Sequence, residues 1–92
     1  MVVYSINEED HGQIGIAASR KAALQWLITS HWVDRYNDIW CPDENKYSND
    51  YYMTLNELCG ENWKEKFLQF SDEQLENMGF YINEEELIEE KD

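Results

Sequence analysis

Cysteine, basic residues, long apolar runs and catalytic signatures are all scarce or missing in this chain of 92 residues, and each shortage removes a class of protein. Only Cys41 and Cys59 are present, far apart in sequence, so the disulfide framework of a small secreted domain is absent. Taken with His11 and His31 they match none of the paired spacings of a zinc site, and no metal is expected. No apolar run approaches the roughly 18 residues of a membrane span, and the opening MVVYSINEED lacks the basic start and long apolar centre of a secretion signal. The chain is therefore expected in the cytoplasm and away from membranes.

Chemistry is equally thin. There is no local signature of a Ser, His and acid set, no Walker or dinucleotide glycine pattern, and no HExxH arrangement. Pairs of carboxylates carry no information among 20 Asp and Glu, because some pair always lies near another. The expectation is a protein that is not an enzyme and needs no cofactor. Gly12 and Gly15 form a short GxxG, but Glu8, Glu9 and Asp10 beside it deny the positive field that a phosphate loop uses. Seven Lys and Arg against 20 acids also argue against direct nucleic-acid binding, since phosphates would approach a repulsive surface.

What is present is apolar bulk and negative charge. With 42% hydrophobic and 14% aromatic residues the chain can build an aromatic-rich core, which its length limits to a single one. Residues 1–83 read as one α+β domain, and residues 84–92 as an acidic C-terminal tail for which partial order stays open.

The stretch QIGIAASRKAALQWLITSHWV organises that domain. Ile14, Ile16 and Ala17 make a short strand over Gln13 to Ala18, Ser19 stands as an N-cap, and a strongly apolar helix runs on to Val33. Arg20 and Lys21 in its first turn suit either an anion site or pairing with the chain's own acids, and the acidity favours pairing. Ahead of this stretch, Val2 to Ile6 favours β structure with Tyr4 and Ile6 on one face, and a polar acidic turn lets it pair with the next strand as an antiparallel hairpin. Asp34 to Met53 reads as irregular or as a small hairpin around Ile39, Trp40 and Tyr52. Its Asp43, Asn45 and Asn49 fail as a calcium loop, lacking the sixth-position glycine and the twelfth-position acid.

Capping chemistry marks the remainder. Thr54 to Cys59 is a short helix stopped by Gly60, and Glu61 to Phe70 is a helix burying Trp63, Phe67 and Phe70. Ser71 and Gln74 form a capping box before a helix that buries Leu75 and Met78 and stops at Gly79. Phe80 to Ile82 supplies a last strand. The fold expected is thus a small antiparallel sheet of about three strands on a central hydrophobic helix, with two or three further short helices.

The net charge of −13 is the one quantitative pointer to function. A ball of 92 residues is about 32 Å across, a length over which duplex DNA carries about 19 charges, so the chain holds about two thirds of the charge of that duplex. Two readings follow. In the first, the protein inhibits a nucleic-acid-handling enzyme by filling its basic groove, using Glu8, Glu9, Asp10, Asp43, Glu44, Glu84, Glu85, Glu86, Glu89 and Glu90 in place of phosphates. In the second, the acids form a solvated shell on an accessory interaction module that docks through exposed aromatics such as Tyr47, Tyr51 or Trp32.

In size, charge and aromatic α+β pattern the whole chain resembles the small acidic accessory proteins of bacteriophages and mobile elements, a group that includes anti-CRISPR proteins. The resemblance rests on no aligned motif and transfers no functional residue. It implies a basic protein partner, a host nuclease or other nucleic-acid-binding enzyme, addressed by DNA mimicry.

Overall fold

The computed structural model describes residues 1–41 and 51–86. The elements follow in the order β1 (Val2–Glu8), β2 (Gly12–Ala17), α1 (Arg20–Thr29), α2 (Trp32–Arg35), β3 (Asp38–Cys41), β4 (Tyr51–Thr54), α3 (Leu55–Cys59), α4 (Trp63–Phe67), α5 (Asp72–Glu76) and β5 (Phe80–Glu86). The strands β2, β1 and β5 form an antiparallel sheet in that order, and β3 pairs with β4 in a separate antiparallel hairpin. The α+β class is as expected. The second sheet is the small hairpin, one of the two readings of Asp34 to Met53, and the four short helices beside α1 among the described residues exceed the expected two or three.

Packing follows the alternation of β1. Ile6 and Glu8 are buried on the face that meets α1, where Ala23, Leu24 and Leu27 are closed to solvent. The register of β1 with β2 shifts between Ile6 and Asn7, a bulge that lets half-buried Ile14 join the same core. Gly15 lies under the Trp26 ring, where an added Cβ would stand 3.2 Å from the ring edge, so its small size lets α1 sit close on the sheet. Ser19 caps α1 by accepting from the Ala22 N–H at 3.1 Å. The expected pairing of Arg20 is present: Nη2 donates to the Phe70 carbonyl at 2.8 Å and to Asp72 at 3.0 Å, fastening the start of α1 to the cap of α5.

The apolar helix does not run through to Val33. The hydroxyls of Thr29 and Ser30 both donate to the Trp26 carbonyl, and His31 takes a left-handed conformation at φ 65°, so the chain breaks and restarts as α2. Hydroxyls that compete for backbone carbonyls end a helix whose apolar pattern continues beyond the break. Val33 is nonetheless fully buried, carried into the core by the second helix. Similarly, the helix expected over Glu61 to Phe70 is confined to Trp63–Phe67, with turns bringing the Phe70 ring to 5.2 Å from that of Phe67.

The capping boxes at Thr54/Glu57 and Ser71/Gln74 are both formed. Gly79 turns the chain from α5 into β5 at φ +89°, and a Cβ there would lie 3.1 Å from the Glu9 side chain. Gly12, at φ +72°, has open space around it. Gly79→Ala is therefore expected to cost about 1–3 kcal/mol in urea denaturation, more than Gly12→Ala, and the gap should narrow when Glu9→Ala is added. Equal costs for the two glycines would show that Glu9 does not crowd this turn.

The last strand is longer than its apolar residues imply. It continues through Glu84, Glu85 and Glu86, which pair with Tyr4, Val3 and Val2. These three acids of the expected tail are thus ordered in the sheet, because the backbone partner offered by β1 outweighs the poor β preference of glutamate. All three are exposed, and so is Val2 opposite Glu86, while Val3 and Tyr4 opposite the other two are half-buried, so this end of the β1–β5 ribbon is open to solvent and its other end, at Glu8 and Phe80, is buried. No helix among the described residues is long and apolar enough to cross a membrane.

Candidate functional site

Among the described residues the expected acids do not gather in one patch. Register places Glu8 opposite Phe80 at one end of the β1–β5 ladder and Val2 opposite Glu86 at the other. The turn acids Glu9 and Asp10 are thus separated from Glu84 to Glu86 by about six strand steps, roughly 20 Å. Asp43, Glu44, Glu89 and Glu90 lie outside the described residues, as does Tyr47. The assumed 32 Å ball is also replaced by a longer body, with extents of 61 × 28 × 20 Å. A duplex of that length carries about 36 charges, so the whole-chain charge falls to about a third of the comparison instead of two thirds.

At the ribbon end, Glu84, Glu85 and Glu86 follow one another along an extended strand. The rise of about 3.4 Å per residue equals the axial spacing of phosphates along one strand of DNA, with the carboxylates alternating between the two faces. None of the three forms an ion pair among the described residues.

At the turn end, Glu8 differs from its neighbours. Its side chain is 2% exposed, and Oε2 accepts from the Asp10 backbone N–H at 3.0 Å and from His11 Nδ1 at 2.5 Å. Burial and internal bonds remove Glu8 from the groups that a partner reaches. The carboxylates of Glu8, Glu9 and Asp10 do come within 4.8 Å of one another, a spacing that could hold a cation, but the Glu8 oxygen already has two donors.

The Glu8–His11 pair locks the hairpin turn onto α2. The His11 ring meets Trp32 edge-on at 5.3 Å and Tyr36 at 5.9 Å, while Trp32 and Tyr36 stack at 5.7 Å. Trp32 is consequently a half-buried packing residue and not the free docking aromatic expected of it. An aromatic that does stand out is Tyr52, at 67% exposed.

Tyr52 belongs to a cleft of about 370 Å³ that sequence reasoning did not find. Pairing of Ile39 with Met53 and of Trp40 with Tyr52 turns Ile39 into the core and sets Trp40 and Tyr52 side by side on the opposite face of the hairpin. Facing them are Glu76, Asn77, Met78 and Gly79, while Arg35, Tyr36, Asp38 and Glu9 complete the walls. Two backbone bonds brace the cleft, from the Trp40 N–H to the Asn77 carbonyl and from the Glu9 N–H to the Gly79 carbonyl, both at 2.9 Å. Its lining therefore combines aromatic rings with three carboxylates, Glu9, Asp38 and Glu76, against the single guanidinium of Arg35. Of these four, none is in an ion pair among the described residues. A cavity near the low end of the roughly 300–1,000 Å³ of small-ligand sites accommodates one side chain or a small molecule, not a polynucleotide.

Comparison with known proteins finds no family model, no curated protein and no solved structure that matches this chain.

Proposed function

We propose that this chain is a non-enzymatic binding protein for a basic partner, and that the partner is a nuclease or other nucleic-acid-handling protein whose positively lined groove it occupies. The observation that supports this reading best is the ribbon end of β5, where three consecutive exposed glutamates, alternating between the two faces, follow one another along the strand at about the axial rise of phosphates on a DNA strand and have no cation of their own among the described residues. A net charge of −13 adds long-range attraction for a basic surface, which at cellular salt acts within a Debye length of about 8 Å. Glu84 and Glu86 share the strand face of buried Phe80 yet are exposed, and Glu85 is exposed on the other, so the ribbon offers charge along both of its faces.

Acids on an edge strand also serve a humbler end, since they deter edge-to-edge pairing with another chain. The two roles separate by experiment. The full chain is used to capture partners from host lysate with and without nuclease treatment, and the recovered protein is then bound to the purified chain. The expected result is a basic protein that survives nuclease treatment and whose complex weakens steeply between low and moderate salt. Capture that disappears with nuclease, or a complex indifferent to salt, overturns the proposal and leaves edge protection as the role of the acids.

A further inference from the structure

Resting on the reading of a basic protein partner, we infer that the cleft between the β3–β4 hairpin and the α5–β5 turn receives one arginine side chain of that partner. Three observations converge on this occupant. Trp40 and Tyr52 present adjacent aromatic residues, and a guanidinium is the cation that stacks flat on such faces. Asp38 and Glu76 enter the same cavity as Glu9, so the three carboxylates outnumber Arg35 and leave the cleft two charges negative. The volume of about 370 Å³ matches a single long side chain, and Tyr52 stays 67% exposed at its mouth.

The cleft is also prebuilt. The two 2.9 Å backbone bonds tie its walls together, and the buried Glu8–His11 pair holds the turn that carries Glu9. Such a site discriminates by chemistry: a lysine meets the charge but not the planar stacking, and the neutral, planar citrulline meets the stacking but not the charge. Arg35 acts here as an internal competitor, and it sets the sign of one test.

The experiment titrates acetyl-arginine-amide, its lysine counterpart and its neutral citrulline counterpart into the isotope-labelled full chain, following the Trp40 indole N–H and the backbone of Glu76 to Gly79 by NMR. The arginine compound is expected to move these signals most, with lysine, which lacks the planar face, and citrulline, which lacks the charge, each binding at least several-fold more weakly. Because Asp38 and Glu76 are exposed, D38N/E76Q is expected to keep the fold and to weaken binding by about tenfold or more, whereas R35Q strengthens it several-fold. Signals that move at Glu84 to Glu86 instead, or equal binding by D38N/E76Q, overturn the inference. Should the cleft fail while the captured partner still depends on Glu84 to Glu86, the inference falls and the proposed function stands. If the cleft binds arginine but no basic partner is captured, the function falls instead.

Discussion

Replacing Glu84, Glu85 and Glu86 together by lysine is expected to lower affinity for the captured basic partner by roughly a hundredfold or more, about 2.7 kcal/mol, with little change in folding. The substitution takes the net charge from −13 to −7, because three negative groups become three positive ones. No internal ion pair is lost among the described residues, and the cross-strand neighbours Tyr4, Val3 and Val2 are uncharged. Relief of self-repulsion offsets the small cost of changing exposed strand residues, so stability should stay within about 1 kcal/mol in urea. Binding and folding thus respond differently to one change, which separates a recognition role from a structural one. A variant that binds unchanged would remove the ribbon from the interface.

The second large effect belongs to the core. Phe67 is fully buried, packs on Phe70 and belongs to the same core cluster as Leu75, Met78 and Phe80. Phe67→Ala removes most of a large side chain from a site that cannot fully collapse, at an expected cost of about 3–5 kcal/mol. A domain of this size has roughly 5–15 kcal/mol in all, and each kcal/mol moves its midpoint by about 4–8 °C, so thermal unfolding should begin at least about 12 °C earlier. A loss under about 1 kcal/mol would mean that Phe67 is not enclosed as described.

Legibility followed the range of the interactions. Ser19, the Thr54 cap, the Ser71 box, Gly60 and Gly79 were readable because a cap is decided within a turn of chain, whereas the part of Glu57 in the Thr54 box was missed. The pairing of Arg20 followed from charge balance alone, although Asp72 could not be singled out. The break at His31 was hidden because its cause is a competition between the Thr29 and Ser30 hydroxyls and a helix whose apolar spacing continues to Val33.

The acids and the cleft were harder for a different reason. Glu84 to Glu86 looked like a tail because glutamate disfavours strands, and only the unfilled edge of β1 draws them into one. Glu8 looked like Glu9 and Asp10 until the alternation of β1 turned it inward against His11. Glu9, Arg35, Asp38, Trp40, Tyr52 and Glu76 come from five separate stretches of chain, joined by two backbone bonds that no local pattern announces.

Competition for the captured partner reaches the heart of the proposal. The complex is titrated with duplex DNA and with RNA at fixed ionic strength, and the composition of each species is followed by size and absorbance. Mutually exclusive binding, in which nucleic acid releases the chain and added chain releases nucleic acid, is the predicted result. A stable ternary complex holding partner, nucleic acid and this chain together would contradict it.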